Sequence, residues 1–151
     1  MLLRKLIYTP DDRALALVRF VLGLIFFAHG AQKVLGWFGG QGFDRTMADF
    51  TGYMGIPPFL AVLAILAEFL GGIGLMLGLL SRVAAFGIAV NMVVAVLKVH
   101  SANGLFMNWA GNQRGEGIEF HLLVIAIAVL VMAHGAGAWS VDRALSREPR
   151  P

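Results

Sequence analysis

Ionisable and amide side chains interrupt long apolar segments of this sequence, at positions where such groups could do chemistry. Glu68 lies about ten residues beyond the Pro57-Pro58 pair, near the middle of its segment. It therefore needs a charged partner or a proton, because burial disfavours the charged form of a carboxyl group. His29 and Asn91 lie at a similar depth in two other segments. We expect these three side chains to meet across helices.

Further polar residues gather toward one end of the same apolar segments. Lys33 and Lys98 could extend to the membrane surface, and Glu119 could interact with the first turn of a helix. A shared cavity opening at that end explains the whole group better, because polar residues inside membranes usually face the protein interior. The residues expected to bind a substrate or quinone there, or to relay protons, are His29, Lys33, Glu68, Asn91, Lys98, His100, Glu119 and His121.

Cofactor motifs are sparse. His100 and His121 lie near the same end and could ligate a haem through two imidazoles, whereas no other metal site is predicted. The sequence has no cysteine, which excludes thiolate ligands and dithiol redox relays. No glycine cluster has the pattern of a nucleotide-binding loop, and no nucleic-acid partner is expected.

The elements that must position these residues are membrane-spanning helices. Of the 151 residues, 58% are hydrophobic and 14% charged, and the mean hydropathy is +0.77. A soluble domain would carry roughly 25% charged residues. We therefore predict an all-α polytopic membrane protein, a four-helix bundle forming a single domain over residues 1–151. Its expected spans are Ala14–Gly36, Phe59–Leu80, Arg82–Ser101 and Ile118–Ala138.

The distribution of basic residues predicts the orientation. Most flank one side of the four spans, and the positive-inside rule makes that side, with both termini, cytoplasmic. Only Arg45 and Arg114 lie in the two outer loops. The N-terminal apolar segment is expected to remain as an uncleaved first span, because Arg19 interrupts it and it continues to Gly36. The basic residues of the inner side are Arg4, Lys5, Arg13, Arg82, Arg143, Arg147 and Arg150.

The first outer loop and the second span carry further patterns. Phe43, Met47, Phe50 and Met54 recur at helical spacing, which predicts a short amphipathic helix on the membrane surface, unless the loop simply packs on the bundle. In the second span, the small residues at 74 and 78 allow close helix packing, either within the bundle or in a homo-oligomer.

Four stretches, in order along the chain, resemble the DoxX family of bacterial membrane proteins. The resemblance implies a four-helix protein of the cytoplasmic (inner) membrane that is associated with redox chemistry. The family takes its name from a subunit of a thiosulfate:quinone oxidoreductase, and some relatives are linked to oxidative-stress complexes. The four stretches that carry this resemblance are Arg19–Lys33, Ala67–Arg82, His100–His121 and Gly135–Arg143.

Three functions remain open at this point. The protein could be a redox-associated subunit that binds quinone or a small substrate in the outward-facing cavity. Electrons would then come from a redox partner protein or the substrate, since the sequence shows no self-contained catalytic centre. It could instead be a small-molecule carrier using the same cavity, or a non-catalytic anchor subunit whose polar interior fixes helix register.

Overall fold

The computed structural model describes residues 6–146, which form helices and loops with no strand in that range. The long and short α-helices are α1 (Arg13–Leu35), α2 (Phe43–Ala48), α3 (Pro58–Leu77), α4 (Ser81–Ala95), α5 (Glu119–His134) and α6 (Val141–Ser146). A 3₁₀ turn at Trp37–Gly39 follows α1, and a π-helical turn at Asp49–Tyr53 follows α2. A π-helical turn at Val96–His100 and a 3₁₀ turn at Ser101–Asn103 prolong α4.

Local signals in the sequence explain where the long helices begin and end. The Asp12 side chain caps α1 by accepting a hydrogen bond of 3.0 Å from the amide of Leu15. Gly36, at φ 70°, ends that helix. Pro58 occupies the first position of α3, where its missing N–H costs nothing, and Gly78 ends it at φ 68°.

Three helical segments in the described chain are long and apolar enough to cross a membrane: Arg13–Leu35, Pro58–Leu77 and Ser81–Asn103. They agree with the first three predicted spans to within a few residues. The helix in the fourth predicted span, α5, is shorter than the predicted 118–138, because Gly135 adopts φ 90° and ends it after 16 residues. At about 1.5 Å per residue α5 is about 24 Å long, against about 30 Å of membrane hydrocarbon.

The helices pack unevenly around one apolar core. α1 and α3 make the most extensive contact. A Cβ atom on Gly23 would lie 2.6 Å from the backbone nitrogen of Met76, so only glycine permits this approach. α4 packs against α3 and α5, whereas the contact between α5 and α1 is small. Core side chains come from all four of these helices and include Leu22, Phe26, Leu75, Ile88, Met92 and Val131.

Arg19 is buried at the end of the bundle that holds residues 136–139, with an exposed fraction of 2%. Its guanidinium donates to the carbonyls of Ala136 at 2.7 Å, Met76 at 3.0 Å and Trp139 at 3.4 Å, and also to that of Leu75. The Arg19 guanidinium therefore remains inside the bundle and does not extend to the membrane surface. His134, at the end of α5, is exposed, and its Nδ1 bonds to the Leu130 carbonyl in its own helix.

The start of α4 depends on Asp142 of α6. Its carboxylate accepts hydrogen bonds from the amides of Leu80 at 2.7 Å and Ser81 at 2.9 Å. These amides have no acceptor within α4, as for the first turn of any helix. Close packing at Gly78 also involves this C-terminal segment, since a Cβ there would lie 2.8 Å from the Cα of Ser140.

The predicted helix in the first outer loop is present as α2 and the π-helical turn that follows it. Phe43 and Tyr53 are exposed, as expected for a helix at a membrane surface. Phe50 and Met54 instead line the interior cavity described below. The segment therefore covers part of the bundle.

Candidate functional site

A cavity of about 270 Å³ lies among α1, α3, α4 and α5. Aromatic side chains, among them Phe26 and Phe120, form part of its wall. Phe50, Met54 and Ile56, from the segment after α2, line it as well. The cavity therefore combines an apolar wall with the polar residues considered next, which is the usual composition of a small-molecule site.

Polar residues from all four surrounding helices line this cavity. Glu119 is the exception among the eight residues selected from the sequence, since its Oε1 atom accepts a hydrogen bond of 2.8 Å from the amide of Met107 and it does not line the cavity. Its hydrogen bond links the start of α5 to the third loop, which is the segment of residues 104–118 between the prolonged α4 and α5. The seven that the structure brings together are His29, Lys33, Glu68, Asn91, Lys98, His100 and His121.

An ion pair joins α1 to α3 at the cavity. The Nζ atom of Lys33 lies 2.5 Å from Oε2 of Glu68, and the side chains are 23% and 10% exposed. Glu68 lies halfway along α3, and Lys33 in the last turn of α1. Lys33 therefore directs its ammonium group to Glu68 and not to the surface. Ion pairs so shielded from water are held by geometry as well as charge, since both groups lose hydration.

Asn91 and His29 contribute to the cavity without bonding to Glu68. The Asn91 amide nitrogen donates to the carbonyl of Ala64 at 2.7 Å, which joins α4 to α3. The His29 ring lies 6.2 Å from that of Phe26 and 6.5 Å from that of Phe120, between centroids. Within residues 6–146 no hydrogen bond joins His29, Glu68 and Asn91, so the expected contact is limited to a shared cavity wall.

Two histidines pair at the end of the cavity nearer the third loop. The ring centroids of His100 and His121 are 4.2 Å apart, with an angle of 42° between the ring planes. His100 Nδ1 donates to the carbonyl of Glu116 at 2.8 Å. His121 is buried, and its Nδ1 makes no well-directed hydrogen bond in the described chain, although the Gly117 carbonyl interacts with the same ring.

The histidine pair does not fit a haem held between the two rings. Two metal–nitrogen bonds of about 2 Å would separate the ligating atoms by about 4 Å and the ring centres by more. The observed centroid separation of 4.2 Å leaves no such space. Across residues 6–146, no three His, Asp or Glu side chains are close enough together to hold a metal ion.

Several cavity residues escaped selection from the sequence because they are apolar. Phe26 and Met92 face the cavity from α1 and α4, and Phe120 from α5. A signal existed for Phe26, which precedes His29 by three residues and so shares its helix face. The Ala64 carbonyl had no signal, because a backbone acceptor carries no sequence identity.

These features define a class: multi-pass membrane proteins whose helices surround a largely apolar cavity that polar side chains border. Residues 14–101 match the family model described as DoxX. The chain belongs to the DoxX family, as its resemblance in sequence predicted. It is a multi-pass protein of the bacterial inner membrane.

Curated relatives support the same assignment. Inner membrane protein YqjF of Escherichia coli is 28% identical over 138 residues, covering 91% of this chain and 96% of the relative. A protein of Haemophilus influenzae without a described function is 34% identical over 130 residues, covering 85% and 87%. A Bacillus subtilis protein named "Putative oxidoreductase CatD" is 32% identical over 83 residues, covering 55% and 57%. No solved structure matches the chain.

Proposed function

We propose that this protein is a redox-associated membrane subunit that binds quinone or a small oxidisable substrate in the cavity. The observation that carries the proposal is the Lys33–Glu68 ion pair on an aromatic-walled cavity inside the bundle. Charged residues inside a membrane are costly, and where they persist they often serve ligand binding or proton transfer. The name of the Bacillus subtilis relative points toward the same redox class.

The cavity suits the head group of a quinone better than a larger molecule. Its volume of about 270 Å³ is slightly below the range of about 300–1,000 Å³ typical for drug-sized ligands. Phe26 and Phe120 offer flat surfaces to a ring, while the ammonium group of Lys33 and the imidazole of His121 offer donors to its oxygens. A bound quinone would supply the two-electron chemistry, with electrons from a partner protein or from the substrate.

Within this proposal the ionisable residues hold and move protons. Glu68 and His29 can accept and release a proton at the cavity wall, as such side chains do in membrane proton relays. Lys33 holds the Glu68 carboxylate at the cavity wall through their ion pair. His100 and His121, at the end near the third loop, connect the cavity toward the outer surface.

Native mass spectrometry of gently extracted protein tests ligand binding. We expect wild-type protein to retain quinone, and the Glu68→Gln variant to retain about tenfold less, since the charge-assisted contact that holds the Lys33 donor at the cavity wall is lost. Asp44→Asn is the matched control, because Asp44 is exposed in α2 and does not line the cavity. Absence of quinone from the wild type, or equal retention in both variants, contradicts the proposal. Substrate flux into liposomes by this protein alone would favour a carrier, and full activity of a partner complex containing Glu68→Gln would favour an anchor.

We also infer that α5 crosses the membrane as a fourth span, completing a four-helix bundle with both termini in the cytoplasm. Support comes from the basic residues Arg82 and Arg143, which lie beside the segment before α1 through contacts to the Tyr8 carbonyl and to Asp11, so that these basic groups share one end of the bundle. The adjoining residues 135–138 are buried and extend the apolar stretch of α5.

Cysteine labelling tests this topology directly, because the natural sequence contains no cysteine. In intact spheroplasts, a membrane-impermeant maleimide should label Asn112→Cys in the third loop but not Ser146→Cys. Permeabilised cells should label both. Labelling of both sites in intact spheroplasts would indicate an even number of spans between them, so that α5 does not cross, and the reverse pattern would overturn the orientation.

A further inference from the structure

A second depression, of about 320 Å³, lies at the end of the protein away from the cavity. It forms where the chain before α1 meets the chain leading into α6. Hydrogen bonds hold these two segments together, from the Ala138 amide to the Asp12 carbonyl at 2.8 Å and from the Gly137 amide to Thr9 Oγ1 at 2.5 Å. The residues lining it are Asp11, Arg13, Trp139, Ser140, Arg143 and Ala144.

Two guanidinium groups and one carboxylate line this depression. Arg143 forms an ion pair with Asp11, and the guanidinium carbon of Arg13 lies 5.8 Å from the ring centroid of Trp139. Neighbouring carboxylates are engaged elsewhere, since Asp12 caps α1 and Asp142 caps α4. The lining therefore carries a net positive charge. Guanidinium groups present a planar fork of donors that suits phosphate oxygens.

An apolar surface adjoins the charged depression. Trp139 is 73% exposed and Leu145 64% exposed, and Val141 is also exposed. Val141 and Leu145 are four residues apart and so share one face of α6. Tryptophan is enriched at the level of lipid head groups, where its ring contacts both polar and apolar groups. In a membrane protein this arrangement matches an amphiphile with an anionic head and apolar chains.

We propose that this depression binds an anionic phospholipid. Its phosphate contacts Arg13 and Arg143, and its acyl chains lie along Trp139, Val141 and Leu145. The lipid is favoured over a soluble anion because the apolar face continues directly from the charged lining. Basic pockets at the ends of membrane helices bind anionic lipids by the same combination of charge and apolar contact.

Lipid retention provides the test. The full chain is placed in phosphatidylcholine nanodiscs with a minor fraction of phosphatidylglycerol, released gently, and its retained lipid is counted by native mass spectrometry. We expect wild-type protein to retain phosphatidylglycerol preferentially, and Arg13→Gln to retain at least about fivefold less. Arg13→Gln leaves the Arg143–Asp11 ion pair in place, so the fold should persist.

The control is Arg45→Gln, which removes the same charge in α2, outside the depression. It should retain phosphatidylglycerol at the wild-type level. An equal loss in Arg45→Gln would show a general charge effect and overturn the proposed site. No preference for phosphatidylglycerol over phosphatidylcholine would also overturn it, as would equally effective displacement by inorganic phosphate, which would identify a soluble anion as the occupant.

Discussion

The ammonium group of Lys33 lies 2.5 Å from a carboxylate oxygen of Glu68, and this ion pair ties the last turn of α1 to the middle of α3. Both groups border the cavity. The same pair is therefore positioned to influence both the packing of two helices and the charge that a ligand meets.

Removal of Lys33 should destabilise the protein more than removal of the whole pair. Lys33→Met leaves the carboxylate of Glu68, only 10% exposed, without its cation. We expect a loss of about 2 kcal/mol, below the roughly 3–5 kcal/mol for fully buried pairs because Lys33 is partly exposed. The double variant Lys33→Met/Glu68→Met should lose less than Lys33→Met alone, and therefore less than the sum of the single variants. Unfolding in detergent by SDS titration measures all three, and strictly additive losses would show that the pair contributes no coupling.

The close contact of α1 and α3 predicts opposite outcomes for two adjacent glycines. A Cβ atom on Gly72 would lie 2.7 Å from the Cα of Phe27, so Gly72→Ala must push the helices apart and should cost about 1–3 kcal/mol. Gly71 has its nearest neighbour, the Ala84 carbonyl, at 3.7 Å. Gly71→Ala should therefore be neutral or stabilising by up to about 1 kcal/mol. Thermal unfolding in detergent compares them, and similar midpoints would refute the assigned contact.

Loss of the Asp142 carboxylate should weaken the start of α4. Asp142→Ala leaves the amides of Leu80 and Ser81 without their acceptors, for an expected loss of about 1–2 kcal/mol. Hydrogen exchange should accelerate at those two amides before it changes in the centre of α4. Asp49→Ala, at an exposed position, is the control. Unchanged exchange at residues 80 and 81 in Asp142→Ala would contradict the capping role.

A lysine should not replace Arg19, although it keeps the charge. The guanidinium reaches carbonyls at the end of α3 and in residues 136–139 simultaneously, whereas an ammonium group on a single stem cannot. We expect Arg19→Lys to lower the unfolding midpoint measurably in detergent. Arg45→Lys, at an exposed position in α2, should leave it unchanged. If both substitutions are neutral, the carbonyl contacts of Arg19 add nothing to stability.

The long apolar segments of the sequence made the helices predictable. Apolar runs bounded by glycine and proline located α1 and α3 to within a few residues, because these residues set the helix ends themselves. The end of α5 was missed because the apolar composition continues through Ala136 and Ala138, past the turn at Gly135. An apolar composition indicates that residues are buried, and Ala136 and Ala138 are buried without being helical.

Side-chain partners were less predictable than their common location. Depth along a helix gave the group that borders the cavity, since polar residues within a membrane face inward. The depth of a residue along its helix does not determine how far its side chain extends, however. Lys33 lies one turn beyond His29, and its side chain extends back to Glu68. The acceptors of Arg19 were inaccessible to sequence reasoning, because two of them are backbone carbonyls 117 and 120 positions later in the chain.

That separation has a consequence for biosynthesis. Arg19 is translated with α1, while the carbonyls of Ala136 and Trp139 and the carboxylate of Asp142 are made more than a hundred residues later. Until then Arg19 lacks two of its acceptors and α4 lacks its cap. This end of the bundle therefore cannot close until the segment from Ala136 to Asp142 has been made, so its closure is a late step of assembly.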